Sequence, residues 1–406
     1  MPVITEENAS QRLLQIAEYI SADAAKAGRL GSMTHGDIKI QGWGYDKFLT
    51  VENVNVTLSP RTSEGSAQWG ITAPDVNVRL DPLHSRRQIF RANSPLKLME
   101  NDKPSATISF GTPVRIGFLG GLPNKLQSML ITVRLPGQMI ITPEPSAEGD
   151  TPKPTIISYE GLPEINIRNL PATGEREAKY EFRNITIEKS DDTSITIGAI
   201  ANDVYESTNQ DKRIEGKYTL TVSDFTGHDK DKATKTCSLT SNMDYVSDVS
   251  LMTLMGIPAG GKIDMKVNKL VIACDDFGVK VDGAVSREID DPLPVGQLNI
   301  SIENIKAFLA SNLISDKTRS ELMAALPRMT GQSMDSLTSV KIAVKREKNG
   351  VIQLGKATAN EVSITLLADL MQAIKDAHNP AIIPSNAVGD GPAATEVPLG
   401  GVPNEQ

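Results

Sequence analysis

The stretch FLTVENVNVTLSP, residues 48–60, sets the reading of the whole chain. Val54, Val56 and Leu58 alternate with Asn55 and Thr57, the period-two spacing of a half-buried strand. Similar phrases return as APDVNVRLDP (73–82), FRNITIEK (182–189), VNKLVIAC (267–274) and ANEVSITL (359–366). Each has a polar lead-in carrying Asn or Asp, then a short alternation. The expectation is that this Asn or Asp occupies the turn entering each strand, where its short side chain bonds local backbone and tolerates unusual φ. Turn-then-strand units of this kind build a long antiparallel sheet one hairpin at a time. Their spacing is too irregular for a solenoid of fixed period.

Outward from that stretch, residues 36–143 give short strands punctuated by Pro and Gly, among them GDIKIQG, SPLKLME, SATISFG, TPVRIGF, SMLITVRLPG and QMIITPE. Short strands with turn chemistry between them argue for antiparallel sheet rather than βαβ units. The segment 144–155, rich in Pro, Gly and charge, reads as a linker or long exposed loop. Strands resume from EINIRNL (164–170) through SITIGAIAN (194–202) to GQLNISIEN (296–304), and helical spacing follows. Ile305, Phe308, Leu309 and Leu313 recur in ENIKAFLASNL. A second helix is expected after a Ser315 cap, with Leu322, Met323 and Leu326 on one face and Pro327 as its bound. VKIAVKREKNGVIQLGKA reads as a hairpin turning at Asn349-Gly350, and 362–378 as a strand running into a helix.

At the front, Leu13, Ile16, Ala17, Ile20 and Ala24 make one apolar stripe, so 1–28 is expected to be an N-terminal helix. It reads as a packing helix or as the soluble continuation of a membrane anchor. The expected organisation is therefore 1–28 helix, 29–143 first β-rich half, 144–155 connection, 156–378 second β-rich half with helices, and 379–406 disordered tail. The fold class is mainly β (α+β): a long curved antiparallel sheet with an N-terminal helix, a few C-terminal helices and an apolar groove.

Composition narrows the function classes. The chain has 406 residues, 39% hydrophobic, with a net charge of −8. Lys and Arg are scattered and aromatics make up only 4%, which argues against a nucleic-acid partner, whose recognition needs clustered base or stacking platforms. No apolar run reaches the roughly 18 residues a spanning helix needs, and MPVITEENASQRL lacks the basic start and apolar core of a signal peptide. The two cysteines, Cys237 and Cys274, lack metal-ligand spacing. They fall on strands of the same half, which allows a disulfide if the protein is exported.

Catalytic and cofactor signatures are weak. GIPAGGKI (256–263) has the Gly-x4-Gly-Lys spacing of a phosphate loop, but Ile263 replaces the Ser or Thr that holds magnesium, and an alternating strand follows in place of a helix. A hairpin turn is the better reading. His35, His84, His228 and His378 show no ligand spacing, and TGHDKDKATK (226–235) lacks the closing Glu of a calcium loop. There is no Gly-x-Ser-x-Gly elbow. No catalytic residue, metal or cofactor is expected. Methionines carry the remaining signal, because they adapt to irregular partners. Met129, Leu130 and Met139, with Leu251, Met252, Leu254 and Met255, are the candidates for an apolar groove, Leu130 facing it and Ile131 facing away. An ordinary core beneath a sheet is the competing reading.

KIDMKVNKLVIACDDFGVKVDGAVSREIDDPLPVGQLNISIENIKAFLA (262–310) resembles a proteobacterial envelope family, one of the numbered domains of unknown function, itself similar to AsmA-type proteins. The shared pattern is a strand, a short turn, a Gly-containing strand, then Gly, a polar residue, L-x-I-x-N and a helix. GDIKIQGWGYDKFLTVENVNVTL resembles the family's first hairpin, and the likeness extends over about 36–378. It implies a periplasmic protein associated with the inner membrane through an N-terminal anchor that this sequence lacks. It also implies a curved sheet holding lipid or acyl chains in a groove, and no catalytic residues. A structural or assembly role, with protein partners on the sheet edges and surfaces, is the alternative.

Overall fold

In the computed structural model the described residues are 14, 17–18, 21, 29–41, 48–60, 68–80, 87–119, 129–145, 153–161, 163–170, 174–189, 193–228, 236–251, 261–288, 294–311, 314, 316–347 and 351–358. They fall within one compact unit, Met1–Ile364, built on a single antiparallel sheet.

The sheet is a meander. β1 (Arg29–Thr34) and β2 (Ile38–Gln41) lie end to end along β3 (Phe48–Pro60), which pairs with β4 (Trp69–Leu80). The next strands are split in the middle. β5 (Arg87–Ala92), β8 (Val114–Leu119), β9 (Met129–Arg134) and β12 (Glu164–Leu170) form one half-width ladder. β6 (Leu96–Glu100), β7 (Lys103–Ser109), β10 (Gln138–Pro143) and β11 (Thr155–Ser158) form the other. Both ladders rejoin on β13 (Glu175–Glu188). From there β14 (Ser194–Thr208), β15 (Ile214–His228), β16 (Thr236–Ser247), β17 (Lys262–Cys274), β18 (Gly278–Glu288) and β19 (Val295–Glu303) add in chain order. Because β10 and β11 pair with each other, the 144–155 segment joins adjacent strands of this one sheet.

The recurrent Asn of the opening stretch does not sit at a turn. All of 48–60 is one strand, with Asn53 inside it at φ 51. Asn184 (φ 45) lies inside β13 and Asp224 (φ 52) inside β15; Asn268 falls at a register shift within β17. ANEVSITL lies outside the described residues. The physical reason is that Asn and Asp reach the left-handed region more readily than other side chains, and one residue held there makes a bulge that bends the strand and increases its twist. In β3 the pairs Glu52–Asp75 and Val54–Ala73 skip Asn53 and Pro74. In β13 the pairs Arg183–Ala199 and Ile185–Ile197 skip Asn184 and Gly198.

The shift at Asn268, opposite Asn242 and Met243, lies farther along the strands and is separate from the others. The bulges at Asn53, Asn184 and Asp224 line up with the interruptions of the split strands into one crease. Local hydrogen bonds stitch it: Gly36 N–H to Glu52 O at 2.7 Å, Asn93 N–H to Asp75 O at 3.4 Å, Leu135 N–H to Pro163 O at 3.0 Å, Tyr159 N–H to Gly137 O at 2.8 Å and Glu160 N–H to Arg183 O at 3.0 Å. Each bulge also shifts the alternation by one residue. Val51 and Val54, Phe182 and Ile185, and Val222 and Phe225 are therefore three apart yet share a face, where a regular strand would place them on opposite sides.

Two regions of that face are well filled. Leu49, Val51, Val54, Ala73 and Val78 form a core at the β3–β4 end. At the other end α1 (Ile305–Ala310) and α2 (Asp316–Thr330) precede β20 (Ser339–Arg346), which joins β19 and is followed by β21 (Ile352–Leu354) and β22 (Ala357–Thr358). Ile305, Leu309, Leu322, Leu326, Val340 and Ile342 are buried there. Two sequence expectations change. Pro327 lies inside α2, which runs on to Thr330, and Met323 is 49% exposed while Ala325 and Met329 are buried with Leu322 and Leu326. Ser315 and the Asn349-Gly350 turn lie outside the described residues, although β20 and β21 do pair as a hairpin. Of the expected N-terminal helix, Leu14, Ala17, Glu18 and Ser21 are described and helical; its remainder, 362–378 and the tail lie outside them.

Candidate functional site

Directly opposite residues of an antiparallel pair point to the same side, so the registers sort the second half of the sheet into two faces. One face carries Ala178, Tyr180 and Phe182 of β13, Val204 and Ile200 of β14, and Tyr218, Leu220 and Val222 of β15. It continues through Met243 and Leu239 of β16, Leu270 and Ile272 of β17, Val281 and Val279 of β18, and Leu298 and Ile300 of β19. The other face carries Glu177, Lys179, Asp203, Lys217, Thr219, Lys266, Asp282 and Gln297 at the intervening positions. One side of this half of the sheet is thus predominantly apolar and the other charged and polar. The apolar residues of β15, β18 and β19 are mostly half-buried rather than sealed, unlike the cores at the two ends.

Polar groups punctuate the apolar face. Asn202 and Ser241 are buried on it, flanking Leu220 in register. Burial, then the neighbouring Tyr180, push the Tyr218 phenol up to about 12, against a lowering hydrogen bond from Asn202. At one margin Glu206 is fully buried. Its carboxylate accepts from Tyr245 Oη–H at 2.8 Å, Ser250 Oγ–H at 2.5 Å and Leu251 N–H at 2.7 Å, with Arg176 Nη1 at 3.8 Å. This is how a buried carboxylate is held, with its lone pairs occupied and a cation nearby. Burial, followed by the charge and hydrogen bond of Glu206, raises the Tyr245 phenol far above its usual range. The Tyr245 ring lies over Gly216, where a Cβ would come within 2.0 Å of it.

The sequence candidates separate. Met139 pairs with Ile157 and shares the apolar side with Ile141, which is opposite Ile108. Leu130 does not face that side: it pairs with Arg168, and its strand neighbours on the same face are Thr132 and Arg134. Ile131, expected to face away, is 2% exposed and opposite Ile167 on the apolar side. The expectation lacked the register of β9, and a shift of one residue exchanges the faces. Leu251 serves through its backbone, as a Glu206 partner. Met129 pairs with Asn169; its side chain, and Met252, Leu254 and Met255, lie outside the described residues. Glu206 and Tyr245 carried no sequence signal beyond being polar residues at positions of apolar parity.

A separate open concavity of about 700 Å³ crosses β14–β19, with Tyr205, Lys217, Asp244 and Lys266 of the polar face in its lining. Cys237 and Cys274 are directly opposite in β16 and β17 and form a disulfide. Among the described residues no group of His, Cys, Asp and Glu is placed to hold a metal ion, and no helix is long and apolar enough to cross a membrane. No protein-family model, curated protein or solved structure matches the chain.

Proposed function

We propose that the protein is a non-enzymatic binding protein of the cell envelope whose apolar sheet face takes lipid acyl chains. The observation that carries this reading is the extended, predominantly apolar face between the two sealed ends. There Val222, Leu239, Ile272, Val281 and Ile300 remain half-buried. An open apolar surface of that extent loses the dispersion contacts of a packed core, and a hydrocarbon chain supplies them without asking for hydrogen bonds. The resemblance to AsmA-type proteins supports the same reading and adds a periplasmic, inner-membrane-associated location. The Cys237–Cys274 bridge fits an oxidising compartment.

The test is solvent extraction of the purified protein followed by mass spectrometry of the lipid fraction, on the native chain and two variants. Leu220→Glu puts a carboxylate on the apolar face; Thr221→Glu puts the same group on the polar one. Copurified lipid that is lost in the first variant and kept in the second is the expected result. A lipid-free protein that instead purifies with a stoichiometric protein partner gives the sheet a scaffold role and ends the acyl-chain reading.

A further inference from the structure

The polar face holds a feature that the acyl-chain reading does not use. Arg91 of β5 is directly opposite Arg115 of β8, and Arg115 is directly opposite Arg134 of β9. Three guanidinium groups therefore stand in register on adjacent strands of one face, at positions where side chains are about 5 Å apart at Cβ and like charges destabilise the pair. Arg134 is neutralised, its Nε donating to Glu164 Oε2 at 2.6 Å, and this bond holds the Glu164 carboxyl below the usual carboxylate range. Arg91 and Arg115 make no ion pair or hydrogen bond through their side chains with any described residue. The Nε of Arg91 is moreover buried without a partner. Next to Arg115 on the same face is Gly117, opposite Thr132. A Cβ there would meet only Thr132, in ordinary contact at 3.8 Å or more, so the missing side chain leaves a small recess between Ile89 and Thr132, beside the two guanidiniums.

We propose that Arg91 and Arg115 form a binding site for a phosphate-type oxyanion on the polar face, with the recess at Gly117 giving the anion room. Guanidinium forks match the paired oxygens of a phosphate group. An anion held between the two would replace their mutual repulsion with two attractions. Glu164 is engaged by Arg134, and Asp75, two residues along β4 from the Asn77 that faces Arg91, lies diagonally rather than opposite. The site is half-exposed, so its attraction is screened as ionic strength rises. Its ligand is either a free phosphate ester or the phosphodiester of a lipid headgroup at a membrane surface. This assignment is independent of the acyl-chain reading, because it concerns the opposite face.

The experiment titrates the full chain with inorganic phosphate at low ionic strength, followed by amide NMR or calorimetry with chloride as the reference. In parallel, vesicle flotation compares phosphatidylglycerol with phosphatidylcholine. Arg115→Gln and Arg91→Gln should each weaken phosphate binding about tenfold, the scale of one hydrogen bond to a charged group. Arg115→Lys should recover it only in part. Arg115 is exposed, so a melting curve like that of the native chain separates a binding loss from unfolding. Saturable phosphate binding that both Gln variants weaken supports a site for free anions. Flotation with phosphatidylglycerol alone, lost in the Gln variants and without inorganic phosphate binding, supports the headgroup as the source. Absence of both responses, or a response that the Gln variants leave unchanged, overturns the proposal.

Discussion

Val51 and Val54 are three residues apart in one strand, yet both point into the same core, 0% and 9% exposed. Asn53, at φ 51 between them, makes this possible by adding the residue that resets the alternation. Asn53→Gly should leave stability within a few tenths of a kcal/mol of the native chain, because Gly adopts that conformation freely. Asn53→Val should cost about 1–3 kcal/mol, the scale for a β-branched residue forced into the left-handed region. Urea denaturation of the two variants checks this; equal midpoints would mean that the bulge is dispensable.

The tyrosines of the apolar face make stability depend on alkaline pH. In the unfolded chain a phenol ionises near pH 10, whereas burial, with a smaller contribution from Tyr180, holds the Tyr218 phenol protonated up to about 12. Between those values the unfolded state binds fewer protons than the folded one, so stability falls as pH rises. Below pH 10 both states are neutral at this group and the contribution is constant. The urea midpoint should therefore be flat at Tyr218's expense from pH 8 to about 9.5 and decline above about 10. Tyr218→Phe should show a shallower decline over the same window.

The disulfide offers a third check. Cys237 and Cys274 are 37 residues apart in sequence, so the bridge closes a substantial loop in the unfolded chain. Replacing both by Ser should lower stability by about 2–4 kcal/mol. Dithiothreitol should lower the native chain by a similar amount and leave the double variant unmoved.

Much of the sheet was legible in the sequence because a strand's period is local. The alternations in EINIRNL, SITIGAIAN and GQLNISIEN each became β12, β14 and β19. The crease was hidden by the same habit of reading. In FLTVENVNVTL the apolar positions Leu49 and Val51 are odd and Val54, Val56 and Leu58 are even, and the change of phase at Glu52-Asn53 is the bulge itself. Taken as the entrance to a strand, that Asn loses its role. Faces were harder still. Whether Leu130 or Ile131 lines the apolar side depends on which residue of β12 each meets, and no local pattern fixes a register. Arg91, Arg115 and Arg134 are far apart in sequence and come together only through the half-width ladder.

The clasp at Glu206 gives the last prediction. Glu206 is fully buried and binds Tyr245, Ser250 and the Leu251 amide, so it ties the end of β16 and the residues after it to β14. Tyr245 reaches Glu206 by crossing Gly216, whose missing side chain leaves the ring its place. Gly216→Ala should therefore displace the ring and cost about 1–3 kcal/mol, the usual penalty of overpacking. The loss should come with a weaker Tyr245–Glu206 bond, since ring and hydroxyl move together. In a Tyr245→Ala background the added methyl meets open space, so the same Gly216→Ala change should cost little. Denaturation of the four proteins gives the coupling between the two positions, expected at about 0.5–3 kcal/mol for residues in direct contact. Additive costs would show that Gly216 is there for some reason other than the passage of the Tyr245 ring.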